Sequence, residues 1–126
     1  MTRSIGGRAL ATKSGDYCPE AGDVIWIDLD PTVGHEQSGR RPAVVVSPQS
    51  YNAVSGLCVI CPVTSRERGY PFEVVLPEDA GVRGVVLADQ VRSISWQKRP
   101  IAPAGRAPDL LLAEIRERLA ALLAIN

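Results

Sequence analysis

The residues best suited to chemistry crowd into two short stretches. GHEQSGRRP, residues 34–42, holds the only histidine of the chain, a glutamate, a glutamine and two adjacent arginines. CPVTSRERG, residues 61–69, sets a threonine and a serine ahead of two more arginines. Arginine stays charged at any working pH, and its planar fork grips phosphate through two hydrogen bonds. Pro42 biases Arg41 toward extended backbone, which mounts that guanidinium rigidly at the entrance of the apolar run AVVV. Arg40, one residue earlier on a strand, points the opposite way. If Thr64 ends a strand beside the start of Arg41's strand, the two form an anion-binding notch flanked by Arg66 and Arg68. Glu36 is either a partner that holds Arg41 or a base with a raised pKa, and His35 is the one group that titrates near neutrality unaided.

Other chemistries find fewer residues. There is no nucleophile elbow, no Walker loop and no His/Cys pair for a second acid/base. Asp28 and Asp30 share a strand face, but two hard ligands without a third read as a solvated face rather than a metal site. Cys58 and Cys61, three apart in an apolar β-branched run, fall on opposite faces and suit packing rather than chelation. What remains is phosphate-directed chemistry that needs neither metal nor cofactor. RNA fits it, because the 2′-hydroxyl is the nucleophile and the protein need only move protons and stabilise the phosphoryl charge. Trp26, on the same face as Asp28, is either plain packing or a platform on which a base could stack.

The elements that must position these residues follow from pattern. Ile25, Ile27 and Leu29 alternate with Val24, Trp26 and Asp28, the period of a half-buried strand that Asp30-Pro31 ends. PAVVVS, LCVICPVT and YPFEVVLP read as three more strands, and VVLADQVRSISW as one bent strand or two meeting near Asp89-Gln90. PQSYNAVSG is a turn with a short helical piece, and QKRPIAPAGRAP a proline-punctuated connector. Leu112, Ile115, Leu119 and Leu122, widened by Leu111 and Leu123, predict one C-terminal amphipathic helix with a favourable Glu114–Arg118 pair. Short strands at close spacing plus one helix predict a mainly β protein, a small partly closed antiparallel barrel.

The 126 residues make one domain, with residues 1–20 expected as a flexible extension and 21–126 as the body. Fourteen basic and fourteen acidic residues cancel, so any attraction for nucleic acid must come from local clusters. No apolar run approaches the ~20 residues of a membrane span, and the N-terminus lacks the apolar core of a signal peptide. Three cysteines, an odd number, are read as reduced thiols in the cytoplasm.

Three stretches, GDVIWIDLDPTVGHEQSGRRPAVVVSPQSYN, CPVTSRERGYPFEV and GVVLADQVRSISW, together resemble the MazF/PemK (Kid) family of toxin endoribonucleases. The resemblance implies an SH3-like β-barrel of about five to seven strands with a C-terminal helix, and a homodimer. It implies metal-independent, sequence-specific cleavage of single-stranded RNA to 2′,3′-cyclic phosphate and 5′-hydroxyl ends, and no cofactor. It also implies a MazE-like antitoxin whose C-terminal segment covers the RNA site. By the same resemblance the catalytic residues are Arg41, Thr64 and Glu36, with His35, Gln37, Arg40, Ser65, Arg66, Gln90 and Trp26 binding substrate. Because a guanidinium with a pKa above ~12 is a poor base, Arg41 is assigned mainly to stabilising the phosphorane, with donation of a proton to the leaving 5′-oxygen as a second role. The base stays open between Glu36, His35 and an unusual state of Arg41. Residues 32–40 would be a cover hinged at Gly34 and Gly39, and Leu29 stands where some members carry an aromatic. CcdB-type toxins look like the same barrel but bind DNA gyrase without catalysis, and they are the rival reading, with a peptide-binding module behind them.

Overall fold

The computed structural model describes residues 17–29 and 39–125. Strands β1 (Asp23–Asp28) and β2 (Arg40–Val45) are followed by helix α1 (Gln49–Ser55) and strand β3 (Leu57–Thr64). Strands β4 (Glu73–Val75), β5 (Val85–Leu87), β6 (Arg92–Ser95) and β7 (Ile101–Arg106) come next, and helix α2 (Asp109–Leu122) closes the chain. The seven strands form one antiparallel sheet in the order β4-β5-β3-β2-β1-β7, with β6 beside β5 on the same edge of β3. The fold is therefore mainly β with a C-terminal helix, as expected. The strand path is open between β4 and β7 among the described residues. Its two ends nonetheless approach: a Cβ added at Gly105 in β7 would collide with the Ala80 carbonyl oxygen in the turn after β4.

Both faces of the sheet are covered, which changes the reading of β1. Val24, Val44, Cys61, Val63, Val74 and Val86 pack on one face with Leu111, Leu112 and Ile115 of α2. Ile25, Ile27, Leu29, Ala43, Val45, Cys58, Ile60 and Ile94 pack on the other with Tyr17. Val24, expected on the outer face of a half-buried strand, is fully buried because α2 covers that face. Cys58 and Cys61 lie in opposite cores, as strand alternation requires. Full burial of Ile115 contributes about 1.5–3 kcal/mol by transfer alone. The expected helix stripe holds for Leu111, Leu112, Ile115 and Leu119, whereas Leu122 and Leu123 extend past the sheet and are exposed. Arg118 pairs with Glu114 at 3.2 Å and donates to the Pro71 carbonyl at 2.7 Å, tying α2 to the chain ahead of β4.

Two boundaries differ from the sequence reading. The connector at 97–108 contains β7, which pairs with β1. Proline is tolerated there because β7 is an edge strand, and the register shift between Val24 and Ile25 extrudes Ala104. Residues 17–20, placed in the extension, are packed into the body. The Tyr17 hydroxyl donates to Asp23 at 2.7 Å, and Asn52 of α1 donates to the Pro19 carbonyl at 2.8 Å. Arg106 of β7 closes the same corner on Asp23 at 2.8 Å. Residues 1–16 and the 30–38 stretch, which carries Asp30, His35, Glu36 and Gln37, lie outside the described residues.

Candidate active site

Register delivers the first pair of functional residues. β2 and β3 run antiparallel with Ala43 opposite Pro62, so continuing two residues outward sets Arg41 across from Thr64. Both side chains fall on the face that carries Ala43, Val45, Cys58 and Ile60 further in. They line one cleft of about 380 Å³ with Arg66, Arg68, Tyr70, Glu73, Leu87, Asp89 and Gln90. The notch inferred from the sequence is thus present, with both flanking arginines in it.

A register shift brings in the opposite wall. β5 pairs Val86 with Val63, and β6 pairs Arg92 with Ile60. Six steps on one chain therefore oppose three steps of β3, and the surplus is taken up by the single 3-10 turn Ala88–Gln90. That turn is held by the Ala88 amide, which donates to the Phe72 carbonyl at 3.0 Å. It pushes Asp89 and Gln90 out of the ladder and into the cleft.

The loop after β3 is fixed from both ends. Thr64 is only 6 % exposed, and its Oγ1 accepts from the Arg66 amide at 3.2 Å. Glu73, on β4 opposite Leu87, accepts from the Arg68 amide at 3.0 Å and the Gly69 amide at 2.9 Å. Gly69 adopts φ 77°, the left-handed backbone that a side chain would resist. Arg66 and Arg68 are consequently carried by an anchored loop. Three arginines face two carboxylates around the cleft, which gives a local positive excess on a chain whose charges otherwise cancel.

Glu73, Asp89 and Tyr70 line the cleft without having been named as site residues. The period-2 pattern of YPFEVV places Glu73 on the face away from buried Val74, a signal available in the sequence. The turn that presents Asp89 has no such signal. Trp26, Arg40 and Ser65 are not with the others: they line a second pocket with Pro42, Val63, Val82 and Arg83, and only Arg41 borders both. The Arg40 guanidinium lies over the Trp26 ring, 5.7 Å from its centroid, a cation–π stack. Asp28 stands opposite Arg40 in register. Among the described residues, no three His, Cys, Asp or Glu side chains gather where a metal ion could be held. Burial, assisted by Cys18 at Cys58 and by Asp89 at Cys61, pushes both thiols up to about 12, so neither is a thiolate nucleophile near neutrality.

A guanidinium beside a hydroxyl, with further cations on an anchored loop, has the charge and hydrogen-bond donors that suit an anionic ligand. The chain belongs to the family of PemK-like, MazF-like toxins of type II toxin-antitoxin systems, which matches residues 20–123. The endoribonuclease toxin MazF of Escherichia coli K12 is 47 % identical over 107 residues, spanning 85 % of this chain and 96 % of that protein. Endoribonuclease PemK of Escherichia coli is 38 % identical over 121 residues, spanning 92 % of this chain and 89 % of that protein. The crystal structure of MazF (Form-I) from Deinococcus radiodurans superposes with a TM-score of 0.84 at 54 % identity, covering 87 % of this chain and all of that one. MazF in the MazE-MazF complex (Form-II) from the same organism gives 0.78 at 49 % identity, covering 88 % of this chain and all of that one. The gyrase-binding alternative is not favoured. No helix among the described residues is long and apolar enough to cross a membrane.

Proposed function

We propose that this chain is the toxin of a type II toxin-antitoxin pair and an endoribonuclease that cuts single-stranded RNA without a metal ion. The observation that carries the reading is the pairing of Arg41 with Thr64 across β2 and β3 in a cation-lined cleft. In the reaction the 2′-oxygen attacks the adjacent phosphorus, the bond to the 5′-oxygen breaks, and a 2′,3′-cyclic phosphate and a 5′-hydroxyl remain. Arg41 neutralises the phosphoryl oxygens as charge builds, and the Thr64 hydroxyl donates to one of them while its lone pair keeps the Arg66 amide. Gln90 and Arg66 hold the flanking nucleotides. Glu36 or His35 takes the 2′ proton and the charged Arg41 donates one to the departing 5′-oxygen, or Arg41 in an unusual neutral state takes the 2′ proton and returns it to that oxygen.

The partner is an antitoxin, in keeping with MazF relatives solved as MazE-MazF complexes. An extended acidic segment matches the cleft's excess of arginine and would exclude RNA by occupying it. The active form is a homodimer in the cytoplasm. The test is purified protein on a long RNA with chelator present, with 5′-hydroxyl ends mapped by sequencing. Wild type should cut at a restricted set of positions. Arg41→Ala should lose ~10²-fold or more of the rate, as when a donor to an oxyanion is removed, with an unchanged circular dichroism spectrum and melting profile. Cleavage by Arg41→Ala at the wild-type rate would overturn the assignment.

A further inference from the structure

We infer that Arg118 of α2, a residue outside the cleft, is a positioning residue whose bond to the Pro71 carbonyl holds both walls of the cleft in place for RNA. Its effect on cleavage rests on the nuclease reading, whereas its effect on the walls is read without RNA. Residues 70–73 form a tight turn that the Glu73 amide closes by donating to the Tyr70 carbonyl at 3.1 Å. Pro71 occupies the second position, where its fixed φ matches the bend. The closing bond leaves out the central peptide group, the Pro71 carbonyl and Phe72 amide, whose orientation is what separates one turn type from another. Arg118 supplies that restraint. Its Nε donates to the Pro71 carbonyl at 2.7 Å, and its Nη2 donates to Glu114 at 3.2 Å. Only the planar fork of arginine serves both acceptors from one rigid group. The helix behind it is fixed, because Leu112, Ile115 and Leu119 pack in the same core as Val74 and Val86.

Both walls hang from this turn. On one side Glu73 accepts from the Arg68 and Gly69 amides, so the loop that carries Arg66 and Arg68 is tied to the turn's last residue. On the other the Phe72 carbonyl accepts from the Ala88 amide at 3.0 Å, which ties down the 3-10 turn that presents Asp89 and Gln90. The peptide plane that Arg118 holds lies between these two ties. Arg41 and Thr64 are placed by the pairing of β2 with β3 instead. Loss of the Arg118 bond should therefore loosen the grip on the nucleotides that flank the scissile phosphate and leave the reacting pair where it is. A residue that merely stabilised the fold would change how much protein is active, with the grip of each folded molecule unaltered.

The test compares wild type with Arg118→Ala, Arg118→Met and Glu114→Ala in the full chain. Amide exchange is measured without RNA, and steady-state cleavage on a short oligoribonucleotide containing one mapped cleavage position. Arg118 is outside both cores, and Arg118→Met keeps the apolar stem while discarding every donor, so it serves if the alanine variant fails to fold. In either Arg118 variant the Ala88 amide should exchange roughly 2- to 10-fold faster, the worth of one net hydrogen bond, while the Val44 amide exchanges as in wild type. KM should rise by about the same factor with kcat unchanged, the mark of lost binding rather than lost chemistry. Glu114→Ala keeps the Pro71 bond and should match wild type in both readouts. An unchanged KM in the folded Arg118 variants, a lower kcat at wild-type KM, or an equal rise in Glu114→Ala overturns the positioning role. A wild type that cuts no RNA overturns the nuclease reading; exchange at Ala88 then decides the bracket alone, acceleration keeping it and equality removing it.

Discussion

Glu73 is the residue on which the cation loop hangs, and its removal separates two opposed effects. Its carboxylate accepts from the amides of Arg68 at 3.0 Å and Gly69 at 2.9 Å, across a loop whose residues 65–71 are exposed. Because water competes for those amides, each bond contributes about 0.5–1.5 kcal/mol rather than the larger value of a buried charged bond. Together they favour the anchored loop by about 1–3 kcal/mol. Losing that bias in Glu73→Ala lowers the anchored population by roughly 5- to 150-fold if the loop has no other restraint of similar size. Removing a negative charge beside an anion site works the other way, by ~1 kcal/mol at ~4 Å in a wet cleft. The loop term is the larger, so Glu73→Ala should bind RNA more weakly, with KM raised and kcat/KM down by about tenfold. Glu73→Gln keeps one acceptor oxygen while discarding the charge, and should fall between Ala and wild type. The assay is steady-state cleavage of a fluorogenic RNA, with amide exchange read over residues 65–70. Faster cleavage by both variants than by wild type, with exchange unchanged, would show that charge repulsion outweighs anchoring and refute the reasoning.

Two further outcomes are expected. Cys58 and Cys61 keep their protons in the fold up to about 12, against 9.0 for an ordinary thiol, because burial penalises the thiolate. Their contribution is fully present below pH 9.0 and is lost as pH rises toward about 12, since the unfolded chain ionises first. Urea unfolding between pH 8 and pH 10 should therefore show stability declining more steeply in wild type than in Cys58→Ala; equal slopes would count against it. Gly105→Ala drives a methyl into the Ala80 carbonyl and Gly81, backbone that yields only by shifting β7. Overpacking of this kind costs about 1–3 kcal/mol, and a melting temperature equal to wild type would show that the two ends of the sheet do not meet.

What was legible in the sequence was local. The runs around Val24–Leu29, Ala43–Val46 and Cys58–Thr64 announce strands through composition, and Leu112-Ile115-Leu119 announces a helix through period. Pro42 behind Arg41 says that the arginine is held extended, whatever it faces. Strand β7 was hidden because Pro100 and Pro103 argue against any strand, and only its place at the edge makes them harmless. The packing of Tyr17–Glu20 depends on Asp23, Asn52 and Arg106 arriving from three other elements. Asp89 enters the cleft because β5 and β6 pair with β3 three residues out of step, a property of two pairings that no window of sequence contains.

The same alternation decides the cysteines and the site. It sends Cys58 and Cys61 into separate cores, which removes a chelate or dithiol from consideration. At the outer ends of β2 and β3 it sends Arg41 and Thr64 to one side and Arg40, Pro42 and Ser65 to the other. A sheet buried on both faces has two sides to offer wherever its cores run out, and here both run out at the same edge. Charge adds little at long range on a chain with equal numbers of acids and bases. Selectivity must then come from what each side touches. The arginines and hydroxyl of the cleft contact groups that every nucleotide carries, so discrimination between sequences has to come from contacts with the bases themselves.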